Sequence, residues 1–259
     1  MKAHNQWASK LGFILATAGA AVGLGNLWKF PYLMGRNGGF FFLIAYLIFI
    51  CILGIPVMIT EMSLGRKTRH DPVQAYADIH PNARIVGIFG VLAAFIILSY
   101  YSVIGGWLLK YIVSYATTFN APADFEAFIS NGAEPVLWHF IFMLATTVIC
   151  YKGVSGIEKV SKFMMPMLFV LLMIIIGRSV TLPGAGEGVA FVFTPQGSSF
   201  SLGSITAALG QVFYSLSLCM GITITYGSYL NDKENIPKSC ASVAGLDTLI
   251  AILAGIAIF

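Results

Sequence analysis

Residues 19–28 read Gly-Ala-Ala-Val-Gly-Leu-Gly-Asn-Leu-Trp, inside an apolar run long enough to cross a membrane. Glycine in a helix interior costs about 1 kcal/mol relative to alanine, yet three stand here within seven residues, at 19, 23 and 25, followed by Asn26. Gly19 and Gly23 make one small-xxx-small pair, which close packing between helices would explain. Packing leaves Gly25-Asn26 unexplained, and Pro31 one turn later. The other reading is a helix that unwinds at mid-depth. Unwound backbone survives there only when buried in protein or lining a wet cavity. Its free N–H groups attract anions, and its free carbonyls attract cations.

The surrounding chain supports a membrane setting. Of 259 residues, 58% are hydrophobic and 10% charged, and mean hydropathy is +0.83. Soluble domains are about half apolar and a quarter charged. Several apolar runs reach the roughly 20 residues needed to span hydrocarbon. They lack the period-2 alternation of a membrane barrel, so the spans are helices. A net charge of +4, spread over short loops, argues against a nucleic-acid partner. Cys51, Cys150, Cys219 and Cys240 lie in or beside apolar segments without metal-ligand spacing. They read as small apolar residues, with no disulfide and no metal site. The first run is too long for the apolar core of a signal peptide.

Seven spans are expected, over about 11–35, 39–65, 86–118, 136–152, 163–180, 204–230 and 239–259. A short interfacial helix is expected over 68–83, and 181–203 reads as a Gly/Pro-rich loop with a short helix near 188–193. Lys2, Lys10, Arg66, Lys67, Arg69, Arg84, Lys152, Lys159, Lys162, Lys233 and Lys238 all fall on one side. By the excess of positive charge in inner loops, the N-terminus is cytoplasmic; the expected location is the cell (inner) membrane, as a multi-pass protein. Span 7 runs to Phe259 with no polar flank. That reads as a chain truncated within or after helix 7, with an unusual short form as the alternative.

Polar residues recur at mid-depth. Span 6 holds Gln211, Ser215, Ser217, Gly221, Thr223 and Thr225. Thr223 and Thr225 read as hydroxyls bonded back to helix carbonyls, while Ser215, Ser217 and Gly221 suggest a second break. Asp247 sits near the middle of span 7, and a carboxylate at that depth is a functional-site hypothesis by default. No Lys or Arg is expected at its level, so protonation or a bound ion must resolve its cost. Asn26 and Ser215 as oxygen donors suit sodium. Tyr100 and Tyr101 stand at the middle of span 3, and Glu61 at the inner end of span 2 reads as interfacial or helix-supporting. Lys2, His4 and Trp7 form a polar-aromatic cluster at the inner face.

Breaks in spans 1 and 6 imply two five-helix repeats related as inverted copies. The stretches GAAVGLGNLWKFPYLMGRNGG, GIPVMITEMSLGR, KGVSGIEKVSKFMMP and GQVFYSLSLCMGITITYGSYL closely resemble the neurotransmitter:sodium symporter family, bacterial branch. The resemblance runs from Trp7 to Phe259 and implies an all-α membrane protein. Its fold would be a LeuT-type inverted-repeat helical bundle with discontinuous helices 1 and 6. Residues 1–180 would be the first repeat and 181–259 the start of the second. The family usually has eleven or twelve helices, so this chain resembles its first seven.

The resemblance also implies roles. Substrate carboxylate would meet the N–H groups of Leu24 and Gly25 and the hydroxyl of Tyr101. Substrate amine would meet carbonyls at Ala20, Tyr214 and Ser217. Ile97, Tyr101, Tyr214, Ser217 and Met220 would line the side-chain pocket. A first sodium would use the carbonyl of Ala21 with Asn26, Ser215 and Asp247. A second would use carbonyls of Gly19 and Val22, its other ligands lying on a helix 8 beyond this chain. Trp7, Lys29 and Tyr229 would gate the two sides.

Three residues depart from the family pattern. Lys29 stands where arginine is common, keeping the charge without the bidentate fork. His4 replaces a basic residue at the inner gate. Asp247 stands where asparagine is common, and Ala251 where chloride-dependent members have serine. Asp247, with Tyr46, Gln211 and Ser215 nearby, would supply chloride's negative charge, so chloride-independent transport follows, with proton countertransport through Asp247 a further option. The expected function is sodium-coupled symport of a small amino acid by alternating access, with sodium as co-substrate, no other cofactor and no covalent chemistry. Ser215 and Ser217 have no histidine partner on a plausible face, which argues against a hydrolase. The alternatives are a non-transporting regulatory or sensing fragment and a channel-like pore. Without further helices, no independent transport is expected.

Overall fold

The computed structural model describes residues 7–120, 124–195 and 200–259, and every regular element among them is helical. Lys2 and His4 lie outside the described residues.

Helix α1, Lys10–Ala21, starts at Ser9, whose hydroxyl accepts from the Gly12 N–H. It stops at Val22, which turns extended. A π-helical turn, Gly25–Lys29, then leads into α2, Phe30–Arg36. The axis bends by 53° across this break. Glycines at 23 and 25 lower the barrier to leaving the helix, and Pro31 sits in the first turn of α2, where a missing N–H costs nothing.

The second span runs from Phe40 to Thr68. It comprises α3 (Phe40–Phe49), a π turn (Ile50–Gly54) and α4 (Ile55–Thr68). The π turn falls just before Pro56, whose ring cannot donate to the preceding helical ladder. After α5 (Pro72–Ala77), α6 (Arg84–Thr118) is the long third span. Then follow α7 (Phe125–Ser130), α8 (Ala133–Tyr151), α9 (Gly153–Ser179) and α10 (Ala185–Phe193). The sixth span is split into α11 (Leu202–Ser215) and α12 (Ile222–Ser228), and α13 (Ile236–Ile258) is the seventh. Among the described residues, five helices are long and apolar enough to cross a membrane, and the bent α1–α2 pair makes a sixth. The expected sixth span is divided between α11 and α12, separated by residues 216–221, and neither part is long enough by itself to meet that test, so six of the seven expected spans do.

Several boundaries differ from the sequence reading. The fifth span starts at Gly153 rather than 163. Its first turns are anchored, because Glu158 is buried and pairs with Lys162 one turn on, at 2.7 Å. The expected interfacial helix over 68–83 is α5 followed by a separate 3₁₀ turn at Pro81–Ala83. His70 and Gln74 hydrogen-bond Asp78 beside it and hold that carboxyl below the usual range. Helix α7 was not expected. Asp124 caps it by accepting from the Ala127 N–H at 3.0 Å, a signal present in the sequence as an aspartate before an apolar turn.

Burial sorts the helices into two tiers. Phe13, Phe30, Met34, Phe42, Tyr46, Met58 and Met62 are fully buried between α1–α2, α3–α4 and α13. Helix α8 buries none of its residues, and α6 and α9 expose long aliphatic rows. Such surfaces suit lipid, where hydrocarbon replaces the missing protein neighbours. One face gathers the start of α1 and two basic loops: Arg66 donates to the Glu234 carbonyl, Arg69 pairs with Asp232, and Lys10 lies 4.0 Å from Glu234. Opposite it lies the far face.

Helix α4 touches α12 at Gly65, where an added Cβ would collide with the Ile224 carbonyl and lie 2.9 Å from the Ser228 nitrogen. Gly65→Val is expected to destabilise the chain by about 1–3 kcal/mol, as overpacking does. Thermal unfolding of the chain in detergent checks this: an unchanged midpoint would refute the close contact.

Candidate functional site

The centre of the molecule holds a carboxylate with only neutral partners. Asp247 of α13 is 0% exposed. Its Oδ1 accepts from Asn26 Nδ2 at 2.8 Å, and its Oδ2 from Ser215 Oγ at 2.7 Å and Tyr46 Oη at 3.3 Å. Asn26 Nδ2 also reaches the Asp247 carbonyl at 3.1 Å and Ser215 Oγ at 3.2 Å. No lysine, arginine or histidine pairs with Asp247 among the described residues. Four elements therefore meet at one buried carboxyl group: the π turn after α1, α3, the end of α11, and α13. The sequence reading brought Asn26, Ser215 and Asp247 together, and the structure does so. It differs in what Asn26 offers: the NH2 end of the amide faces the carboxylate, which accepts, while Oδ1 accepts from the Gly23 N–H at 3.3 Å.

Both breaks are held by polar side chains from neighbouring helices. Gln211 Nε2 donates to the Gly25 carbonyl at 2.9 Å. Its Oε1 is buried with no hydrogen-bond partner among the described residues. In the second break, Ser217, Cys219 and Gly221 all have positive φ (53°, 62° and 75°). Glu61, 4% exposed, accepts from the Cys219 N–H at 3.0 Å and from the Thr223 hydroxyl. It is thus helix-supporting and buried, not interfacial. Thr223 does not bond back to its own helix, whereas Thr225 does, to the Gly221 carbonyl at 2.8 Å.

A cavity of about 250 Å³ lies between the two breaks. Ala20, Ala21, Gly25, Ile97, Tyr101, Tyr214, Ser217 and Met220 line it, as do Ala94, Leu98 and Ile222, which the sequence reading did not single out. No charged side chain lines it. The Leu24 N–H donates to Tyr101 Oη at 2.8 Å, and a Cβ on Gly23 would lie 2.7 Å from that hydroxyl, which would have to shift. Ser217 Oγ donates to the Ala20 carbonyl at 3.2 Å, and the Ser217 N–H to the Tyr214 carbonyl at 3.3 Å. Each break thus presents backbone groups to the cavity. Gly19 and Val22 lie on a second cavity of about 240 Å³ between α1 and α9, with Ser161, Met164 and Met165 opposite.

The expected gating residues fall on opposite faces. Trp7 Nε1 donates to the Tyr226 carbonyl at 3.2 Å, and the Trp7 N–H reaches the Tyr229 carbonyl at 3.4 Å. The Trp7 ring stacks edge-on against Tyr226. Glu158 fastens the same segment, accepting from the Ala8 N–H at 2.9 Å and Ser9 Oγ at 3.1 Å. The sequence reading missed Glu158, although a glutamate four residues before Lys162 at the head of an apolar run was visible. Lys29 Nζ lies 3.8 Å from the centroid of the Tyr214 ring.

Comparison with known proteins gives the same outline. The sequence pattern of the sodium:neurotransmitter symporter family matches residues 4–125 and 128–259. A sodium-dependent transporter of Bacillus subtilis is 42% identical over 98% of this chain and 58% of its own length. The rat sodium- and chloride-dependent GABA transporter 2 is 30% identical over 99% of this chain and 50% of its own. The crystal structure of MhsT in complex with L-phenylalanine superposes with a TM-score of 0.91 at 47% identity, over 98% of this chain and 60% of that one. The chain therefore spans between half and three-fifths of the length of these relatives.

The buried carboxylate yields a direct test. Ser215→Ala removes a donor from Asp247 and is expected to cost about 1–3 kcal/mol of stability, the penalty for an under-satisfied buried group. In an Asp247→Asn background, where no charge needs that donor, the cost should be smaller. Equal costs in the two backgrounds, measured by denaturation in detergent, would show that the hydroxyl does not serve the carboxylate.

Proposed function

The chain belongs to the sodium:neurotransmitter symporter family, a family of transporters rather than enzymes, and from that premise we propose that it forms the substrate- and ion-binding part of a sodium-coupled amino-acid symporter. The observation that carries the reading is the convergence of both broken helices on one cavity beside the buried Asp247. Substrate carboxylate takes the N–H groups of Leu24 and Gly25 and the Tyr101 hydroxyl. Substrate amine takes the carbonyls of Ala20, Tyr214 and Ser217. Oriented backbone dipoles thereby replace the water that both charged groups lose.

The first sodium sits at Asp247, Ser215, Asn26 and the Ala21 carbonyl. A cation there reverses what the carboxylate asks of Asn26: the amide turns so that Oδ1, not Nδ2, faces the ion. Gly19 and Val22 offer carbonyls to a second sodium. Because Asp247 supplies a fixed negative charge beside the first ion, no chloride is needed to balance it, and the same carboxylate is the group through which a proton would return. Residues 1–180 and 181–259 form the first repeat and the start of the second. The gathered basic face is cytoplasmic, in the cell membrane, so Trp7 and Tyr229 close the inside and Lys29 the outside.

The uncharged wall of Ala94, Ile97, Leu98, Met220 and Ile222 favours an apolar substrate side chain. That L-phenylalanine accompanies the related MhsT structure extends the choice from small amino acids to bulky ones. A channel is less favoured, because the polar atoms gather at one depth rather than along a stripe.

Binding of radiolabelled L-phenylalanine to the chain in lipid nanodiscs is the test. Binding is expected in sodium chloride, absent in potassium chloride, and unchanged when gluconate replaces chloride. Leucine should compete, whereas glutamate and lysine should not. Binding that ignores sodium would sink the coupling, and loss in gluconate would sink the role given to Asp247.

A further inference from the structure

Consecutive tyrosines on α6 reach the two broken helices through separate hydroxyls. Tyr101 Oη accepts from the Leu24 N–H at 2.8 Å, at the first break. Tyr100 Oη lies 3.3 Å from Tyr214 Oη, on the last turn before the second. Successive residues on an α-helix point about 100° apart, so neighbours on one rigid helix can serve different partners. Their rings meet edge to face, with centroids 6.1 Å apart.

Tyr214 is held at three points. A Cβ on Gly25 would lie 3.0 Å from Tyr214 Cε1, so the ring edge rests on the π turn. Lys29 of the same turn places its ammonium 3.8 Å from the ring centroid. These two contacts need only an aromatic face, and a phenyl ring would provide both. The hydroxyl is needed for neither, and Tyr100 is its partner. Tyr214 lines the cavity, whereas Tyr100 does not.

We propose that Tyr100 is a positioning residue for the lid over the cavity: its hydroxyl fixes the orientation of the Tyr214 ring and so sets how often the cavity opens on the far face. Helix α6 then clamps both breaks at once, through Tyr101 on Leu24 at the first and Tyr100 on Tyr214 of α11 at the second. With that hydroxyl bond lost, the ring keeps its contacts with Gly25 and Lys29 but swings more freely. A cavity occupant is released sooner, while the groups that bind it are untouched. That the occupant is an amino acid rests on the function proposed above. The lid itself does not.

The test separates the two. In the chain reconstituted in nanodiscs, Ile97→Cys places a thiol in the cavity wall. Its reaction with a hydrophilic methanethiosulfonate is followed by mass spectrometry of the peptide carrying position 97, so that the four native thiols do not contribute. Tyr100→Phe and Tyr214→Phe are each expected to raise the labelling rate about 2- to 10-fold, as loss of one hydrogen bond allows. The double variant should be no faster than the faster single, because both remove the same bond. An unchanged rate in Tyr100→Phe, or effects that multiply in the double variant, overturns the proposal. Should Tyr214→Phe fail to fold, Tyr100→Phe alone decides it. On chains without Ile97→Cys, dissociation of radiolabelled L-phenylalanine in sodium should accelerate by a similar factor. If the unsubstituted chain binds no amino acid, the functional reading fails and the labelling still decides the lid.

Discussion

The carboxylate of Asp247 is the constraint around which the rest is arranged. A charge taken out of water costs several kcal/mol unless other groups replace its hydration. Here the replacement comes from an amide, a hydroxyl and a phenol on three different elements. No two of those elements are neighbours in sequence, so satisfying one side chain fixes the relative placement of the π turn, α3, α11 and α13. Neutral donors hold the charge without cancelling it. An opposing lysine would have made a closed structural pair. What remains is a buried carboxyl group with neutral partners only, next in the chain of contacts to a break whose Gly25 lines the cavity.

The breaks answer the same accounting at backbone level. A helix that stops at mid-depth strands N–H and C=O groups that water cannot reach. Gln211 takes the Gly25 carbonyl, Tyr101 takes the Leu24 N–H, and Glu61 takes the Cys219 N–H. These partners come from helices that are themselves continuous at that point, so rigid elements hold the irregular ones. The second break shows the strain most plainly. Ser217 and Cys219 adopt left-handed backbone, which costs a non-glycine residue of order 1–2 kcal/mol. Glu61 offsets part of that cost by gripping the segment at Cys219 and Thr223.

Much of this was legible in the chain. Gly25-Asn26 with Pro31 exceeds what helix packing explains, and Asp247 lacks a cation at its depth, so the first break and the buried site follow from residue types and spacing. Ser215 and Ser217 mark the second break for the same reason. What was not legible depends on which way side chains turn. Thr223 and Thr225 look alike in sequence, yet only Thr225 bonds its own helix, because Thr223 faces Glu61 on α4. Asn26 reads as an oxygen donor, yet an amide has two ends, and the neighbouring carboxylate chooses the nitrogen. The start of α9 at Gly153 was hidden because its first turns are polar. Their helix is held by Glu158 reaching the N-terminal segment, a contact between residues some 150 positions apart.

The two faces are closed by different chemistry, and that difference bears on how each would open. On the N-terminal face, Trp7 and Glu158 tie the segment before α1 to α12 and α9 through hydrogen bonds to backbone and carboxylate. Under the proposed function, opening there would mean breaking these directional bonds together, so that α1 would move as a unit about Val22–Leu24. On the far face, Tyr214 rests on Gly25 under the Lys29 ammonium. Ring-on-backbone and cation–π contacts tolerate small displacements, so that side can loosen by rotation of one side chain. The π turn takes part in both, since Asn26 reads the charge at Asp247 while Lys29, three residues on, lies over the lid. The contacts to the buried carboxyl group and to the Tyr214 ring thus share the same five residues, Gly25–Lys29. Under the proposed function, coupling between ion and substrate would need no relay across the protein, only a change in how one short turn is held.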